Sequence, residues 1–209
     1  MKKIFTSFFI TISAFVSVAQ QDAQFSQNMF NRVAINPGAF GANDAICATM
    51  LGRNQWAGFG DGSPKTYLLS LDAAVPLLRG GVGLNVMQDQ VGFFNTSMIN
   101  AGYAYRHQIG TGTLGVGFNV GFVSTAIRPR WISIDDWEID PTIPNSGIND
   151  MVFDASFGAY YQTDKLYVGI SSTHLPASTI TGSGGTAPNE YQLNLDMARH
   201  YYIMAGYSF

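Results

Sequence analysis

The chain has one cysteine, few charged residues and no cluster of basic side chains. A single cysteine, Cys47, excludes an internal disulfide, and we expect it to behave as a small apolar residue on a strand. Eleven basic against fourteen acidic residues give a net charge of −3. Without a Lys/Arg cluster the chain is not expected to bind the phosphate backbone of nucleic acid, so nucleic acid is not a predicted partner.

A long apolar run is also missing beyond the first residues. Residues 1–19 combine Lys2 and Lys3 with an apolar stretch that ends in the small residues Ser17 and Ala19, a pattern that predicts a cleaved secretory signal. No run of about 18 apolar residues follows, which excludes spanning helices. Charged residues make up only 12% of the chain, which leaves little soluble surface. These features predict a closed β-barrel, because lipid offers no partner to a free backbone polar group.

Apolar residues alternate with small or polar residues along several stretches of the chain. The clearest alternation has Val116, Phe118 and Val120 between glycines and Asn119. Such alternation over about ten residues is typical of a transmembrane strand with an apolar outer side and a polar inner side. Eight strands are predicted in this way, at residues 45–52, 65–75, 80–89, 94–109, 112–127, 150–162, 165–174 and 200–209.

The connections between the predicted strands alternate in length. Tight turns are expected at 77–80, 110–112 and 163–164, long irregular stretches at 53–64, 128–149 and 175–199, and a short exception at 90–93. Outer-membrane barrels have short periplasmic turns and longer outer loops. We therefore predict an all-β, transmembrane, antiparallel up-and-down β-barrel of about eight strands over 45–209, with its long loops on the cell surface. Residues 20–44 precede it as a periplasmic or plug segment.

Four short motifs precede or flank the first strands, and two further segments accompany them. The motifs are Gln24-Phe25-Ser26-Gln27, Asn36-Pro37-Gly38-Ala39, Arg53-Asn54-Gln55-Trp56 and Ser63-Pro64-Lys65-Thr66, and the segments are 103–106 and 200–209. In this series the chain resembles the PorP/SprF family, outer-membrane proteins of Bacteroidetes tied to type IX secretion and gliding. The last segment is similar to an interior strand of that family, so a truncated or unusually short member, and an incomplete barrel, are expected. An aromatic-ended last strand of a small barrel is the alternative.

The resemblance implies binding rather than catalysis. It implies that an outer-membrane barrel, exported through its signal and seated in lipid, docks a secreted surface protein such as an adhesin for export or attachment. A periplasmic component of the secretion machine is the alternative partner. Candidate docking or plug residues are Gln24, Phe25, Asn36, Pro37, Arg53, Gln55 and Trp56, and candidate contacts of the surface loops are Trp131 and Trp137. From the residues alone, a passive channel and a secreted soluble β-sandwich stay open as other readings.

No constellation of residues predicts an enzyme, a cofactor or a metal site. His107, His174 and His200 have no second histidine or cysteine at the spacing of metal ligands, and we interpret them as polar residues of loops or strand ends. Carboxylates crowd residues 135–140 without the spacing of an EF-hand. That loop can be a solvated acidic loop, a protein contact or a calcium site. The glycines at 115 and 117 do not open a helix, so they are not a dinucleotide motif.

Overall fold

A computed structural model of the chain describes residues 22–60, 62–127, 148–184 and 191–208. The predicted signal at 1–19, the acidic loop at 135–140 and both Trp131 and Trp137 lie outside these ranges. The strands are β1 (Ile46–Asn54), β2 (Lys65–Val75), β3 (Gly80–Val91), β4 (Phe94–Ile109), β5 (Gly112–Ile127), β6 (Ile148–Gln162), β7 (Leu166–Thr173), β8 (Thr179–Gly184), β9 (Tyr191–Asp196) and β10 (His200–Tyr207). Short 3₁₀ turns occupy Asn28–Phe30, Arg32–Ala34, Pro37–Ala39 and Pro76–Leu78. Among the described residues, no helix has the length and apolarity needed to cross a membrane.

Eight of the strands form one antiparallel sheet that curls into a half-barrel. Strands β1 to β7 follow one another in sequence order, and β10 pairs with β7. Over the described residues, β1 and β10 are the two edges of the sheet and are not paired with each other. The predicted all-β antiparallel fold is confirmed, and each of the eight predicted strands corresponds to one strand of this sheet.

A separate hairpin of β8 and β9 lies between β7 and β10. The prediction of an irregular stretch over 175–199 was wrong for these strands. The sequence concealed β8, because its alternating residues are Thr, Gly and Ser with only one large apolar side chain, Ile180. Ile180 is buried, and the Thr181 amide donates a hydrogen bond to Asp150 Oδ2 on β6 at 2.8 Å. The hairpin is therefore fixed by contacts with the main sheet, which sequence periodicity does not reveal.

The two faces of the main sheet differ in chemistry. On β5, Val116 and Phe118 are exposed on the outer, convex face, whereas Asn119 and Thr125 are buried on the inner face. The same alternation exposes further large apolar residues of the outer face, among them Tyr67, Leu69, Leu71, Val82, Val86, Ile99, Phe122, Phe153, Phe157, Val168 and Ile170. Soluble monomers rarely expose an apolar surface of this extent, and an outward apolar band is what lipid requires of a barrel.

The sheet has two distinct ends. At one end, which we term the loop end, strands β1, β3, β5 and β7 finish, and the connections at 55–64, 128–147 and 174–199 are long apart from the tight turn at 92–93. At the other, the turn end, strands β2, β4 and β6 finish, and the connections at 76–79, 110–111 and 163–165 are short. The observed pattern is that of an outer-membrane barrel, with long loops on one side of the membrane.

Candidate functional site

Residues 22–45, here called the N-terminal segment, run along the inner face of the sheet. At the loop end, Asp22 lies beside His174, with 2.9 Å between Asp22 Oδ1 and His174 Nε2. At the turn end, Arg106 Nη1 on β4 donates to the Gly41 carbonyl oxygen at 2.6 Å and forms an ion pair with Asp44 at 2.5 Å. The segment thus crosses the inner face from the loop end to the turn end.

The centre of this segment packs closely against the strands. Phe40 is 0% exposed, and its ring occupies the space into which a side chain at Gly83 of β3 would project. A Cβ on Gly38 would come within 2.9 Å of the Gly115 and Gly158 carbonyl oxygens. The inner-face glycines of β5 and β6 therefore leave room for the backbone of the segment. Close approach of another backbone is a common reason for glycine within a strand.

Asn36 joins the segment to two strands by hydrogen bonds. Its side chain is fully buried, and Nδ2 donates to the Ala159 carbonyl oxygen of β6 at 3.0 Å and to the Ile170 carbonyl oxygen of β7 at 3.3 Å. Its Oδ1 accepts from the Gly38 amide at 2.9 Å, so Asn36 also caps the 3₁₀ turn at Pro37–Ala39. The side-chain amide of Asn36 therefore both donates and accepts hydrogen bonds, in the orientation that its neighbours require.

Further polar contacts hold the segment along its length. Ser171 Oγ donates to the Ile35 carbonyl oxygen at 2.7 Å, and Asn85 Nδ2 donates to the Val33 carbonyl oxygen at 3.2 Å. The Arg32 guanidinium lies 4.0 Å from the centroid of a tyrosine ring on β7, within the range of a cation–π contact. The inner-face polar residues of several strands therefore find their partners in the segment.

The other predicted docking residues are divided between the segment and the loop end. Pro37 is buried beside Asn36, and Phe25 lines a cavity of the inner face at the loop end. Arg53 Nη1 donates to the Gln24 carbonyl oxygen, so a contact at the loop end joins the first motif to the third. Arg53 therefore makes a contact within the protein itself.

The remaining two docking candidates shape the first long loop. The Gln55 backbone N–H donates to the Pro64 carbonyl oxygen at 2.9 Å, which closes the base of the loop. Trp56 has a positive φ of 54° and is 67% exposed. Its ring centroid lies 6.0 Å from that of Phe59, which is 78% exposed. The loop therefore presents an exposed aromatic pair at the loop end.

Five polar side chains meet under the loop end, and we refer to them as the loop-end cluster. Asp22 Oδ1 lies 2.9 Å from His174 Nε2, and Asp22 Oδ2 lies 3.2 Å from both His200 Nδ1 and the Tyr202 hydroxyl. On its other side His174 Nδ1 lies 3.0 Å from Asp154 Oδ2 of β6. The His174 side chain is only 5% exposed. The cluster thus joins the segment, β6, β10 and the residue that follows β7.

Charge and burial act in opposite directions on the cluster. Burial alone would lower the pKa of His174, but the hydrogen bonds and charges of Asp154 and Asp22 outweigh it and raise that pKa to about 10. Burial alone would raise the pKa of Asp22, but its hydrogen bond with His174 and the charge on that ring hold the pKa below its usual value. The cluster therefore stabilises a positive charge between the carboxylates of Asp22 and Asp154.

The sequence did not reveal this cluster. Its members are far apart in the chain, and only the pairing of β10 with β7, which places His200 opposite Thr173, brings the two histidines together with their ring centroids 5.7 Å apart. Within the described residues, His174, His200 and Asp22 are the group whose ligand atoms could hold a metal ion. Motif spacing could not find them, because metal-ligand patterns describe neighbours along one segment.

Comparison with known proteins identifies a family to which the chain is similar. The family model described as "Type IX secretion system membrane protein PorP/SprF" matches residues 17–209. No curated protein and no solved structure matched the chain. The match covers the N-terminal segment, the main sheet and the loop-end cluster.

Proposed function

The chain belongs to the PorP/SprF family of type IX secretion system membrane proteins, and on that premise we propose that it is an outer-membrane barrel protein that docks a secreted surface protein. It acts by binding rather than by catalysis. The secreted protein, an adhesin in the simplest case, is held at the loop end for export or for attachment to the cell, and gliding is the process that such attachment would serve.

The surface of the sheet supports a place in the outer membrane. Its outer face carries large exposed apolar side chains on every other residue of several strands, and lipid is the solvent that suits such a face. With the turn end in the periplasm, the loop end faces outward. The long connections then lie where a secreted protein would be met.

The occupied inner face supports docking over conduction. A porin needs an open polar lumen, whereas the N-terminal segment lies across this inner face and pairs with its polar side chains. The passive channel that the residues left open is therefore the weaker proposal.

The observation that carries the docking proposal is the exposed aromatic pair Trp56 and Phe59 at the loop end. The two rings lie close together on a loop whose base is closed by a backbone hydrogen bond. Rigid aromatic side chains of this kind serve as anchors of protein interfaces, where one tryptophan commonly contributes 2 kcal/mol or more. The β8–β9 hairpin, which contacts β6, lies in the long connection between β7 and β10 at the same end of the sheet.

Replacing both rings tests the proposal. In the double variant Trp56→Ala, Phe59→Ala, we expect the dissociation constant for the secreted partner to rise by about 30-fold or more, since truncation of even one such anchor costs on the order of 2 kcal/mol. The measurement is quantitative co-purification of the tagged protein from gently solubilised outer membrane. Leu77→Ala is the matched control, because Leu77 is 92% exposed at the turn end.

The two variants also separate the two possible partners. If Leu77→Ala removes the main partner while the double variant keeps it, binding occurs at the turn end and the partner is periplasmic, which contradicts the proposal. If neither the parent nor a variant retains a secreted protein, and purified protein gives stepwise currents in planar bilayers, a channel replaces the docking barrel.

A further inference from the structure

We propose that Asp22, His174 and His200 of the loop-end cluster form a zinc site, with one carboxylate and two imidazole ligands. The ligand atoms are one Asp22 carboxylate oxygen, His174 Nε2 and His200 Nδ1, and all lie within 4.8 Å of one another. Such a site fastens the start of the N-terminal segment to β10 and to the residue that follows β7.

The donor set and its spacing fit zinc. Imidazole nitrogen and carboxylate oxygen are common zinc ligands, bound at about 2.0–2.2 Å. In a tetrahedral site those bond lengths place neighbouring donor atoms about 3.3 Å apart. Asp22 Oδ1 lies 2.9 Å from His174 Nε2, Asp22 Oδ2 lies 3.2 Å from His200 Nδ1, and the three ligand atoms lie within 4.8 Å of one another. Side-chain movements on the order of 1–2 Å would bring the donors to that spacing.

The surroundings of His200 Nδ1 are a second indication of a bound cation. This atom is buried and, despite its 3.2 Å separation from Asp22 Oδ2, is not aligned with it for a hydrogen bond. A buried polar atom without a hydrogen bond needs an explanation in a native protein, and a bound ion is one such explanation. A cation between His200 and Asp22 would satisfy both atoms at once.

Two of the three ligands have a neighbouring side chain of the kind that surrounds zinc ligands. Metal-bound histidines usually direct their other ring nitrogen at a carboxylate, and outer partners of this kind orient the ligand. Asp154 Oδ2 lies 3.0 Å from His174 Nδ1, the ring nitrogen that does not face Asp22, although these two atoms are not aligned for a hydrogen bond. The Tyr202 hydroxyl donates to Asp22 Oδ2 at 3.2 Å, so the Asp22 carboxylate also has an orienting partner.

Charge balance favours a divalent cation at this position. Asp22 and Asp154 bring two carboxylates into a largely buried cluster. Zinc binding displaces the extra proton of His174; two carboxylates and two neutral imidazoles then neutralise one Zn²⁺, and buried charge is costly unless it is compensated. Three protein ligands leave a fourth position for water. The role that follows is structural, because the ligands come from elements that the metal would hold together.

Zinc content of the purified protein tests the proposal. The full chain is isolated from outer membranes in detergent, treated with chelator, loaded with Zn²⁺ alone, dialysed, and analysed by mass spectrometry of the metal. We expect about one zinc per chain in the parent and in His107→Gln, and loss of bound zinc in Asp22→Asn and His200→Gln. His107 is the matched control, because it is exposed on β4. Asp154→Asn should weaken zinc binding by about 10- to 100-fold.

A second measurement needs no variant. The parent protein loaded with Co²⁺ should show the intense visible absorption bands of a low-coordinate site with nitrogen ligands. Absence of those bands, or equal zinc in the parent and in folded Asp22→Asn and His200→Gln, would overturn the proposal. A variant whose mobility in a gel changes on heating, as that of the parent does, is counted as folded.

Discussion

Phe40→Ala should lower the free energy of unfolding by about 3–5 kcal/mol, the usual loss for a large aromatic side chain in a packed interior. Phe40 is 0% exposed, and its ring fills the space above Gly83 on β3. The alanine variant leaves a cavity between the N-terminal segment and the sheet, because glycine offers no side chain to close it. Reversible urea unfolding in detergent micelles measures the change, and limited proteolysis reports release of the segment.

Phe30→Ala is the control for this experiment. Phe30 belongs to the same segment and is 72% exposed, so its truncation should change stability by less than about 0.5 kcal/mol. Equal, small effects for Phe30→Ala and Phe40→Ala would mean that the segment does not pack on the inner face. A large effect for Phe40→Ala alone, with faster cleavage within 22–45, is the result that the packing requires.

Asn36→Asp should destabilise the protein by about 3–5 kcal/mol at neutral pH, the range for a buried charge without a compensating partner. The substitution keeps the shape of the side chain and the acceptor for the Gly38 amide. It replaces the donating Nδ2 by an oxygen that faces the Ala159 and Ile170 carbonyl oxygens. Repulsion between these oxygens and the cost of burying the carboxylate act together against the folded state.

The pH dependence of this variant distinguishes charge from packing. A carboxyl buried among acceptors has a raised pKa in the folded state, so the loss of stability is full above that pKa and recedes as the pH falls toward the unfolded pKa of about 3.9. Asn28→Asp, at an exposed position of the same segment, should show neither effect. If Asn36→Asp unfolds at the same urea concentration as Asn28→Asp from pH 4 to pH 8, the side chain of Asn36 is not buried at this interface.

Strand positions followed from the sequence because one physical rule governs them. A strand with lipid on one side and a polar interior on the other must alternate, and Val116, Phe118 and Val120 do so against Gly117 and Asn119. The β8 strand does not obey that rule, because it pairs only with β9 beside the main sheet. Its Thr-Ile-Thr-Gly-Ser-Gly sequence resembles a loop, and its position is decided by contacts with β6.

The candidate site was less accessible to sequence reasoning than the strands. Asn36 and Pro37 were identified by motif, but only the fold shows that Asn36 bridges β6 and β7. His174 and His200 looked isolated because the chain between them folds into a hairpin, and strand pairing then returns β10 to β7. Contacts between distant residues depend on register and on which strand lies next to which, and a period of two specifies neither.

The N-terminal segment packs on the inner face of the sheet, and the long connections lie at the loop end of the same sheet. The N-terminal segment holds β6 and β7 through Asn36, and the loop-end cluster holds its beginning near the end of β7. A rigid loop end suits docking, because residues already held in position lose less freedom on binding. The secreted partner would meet the Trp56 loop and the β8–β9 hairpin on this fixed base.

The surface proteome of living cells tests docking most directly. Cells that lack the chromosomal gene are compared with cells complemented by the parent protein and by a variant in which residues 178–197 are replaced by a short Gly/Ser linker. We expect one secreted protein to disappear from the surface of the deletion strain, to return with the parent, and to stay absent with the linker variant present at equal amount in the outer membrane. An unchanged set of surface proteins in the deletion strain would contradict the docking function.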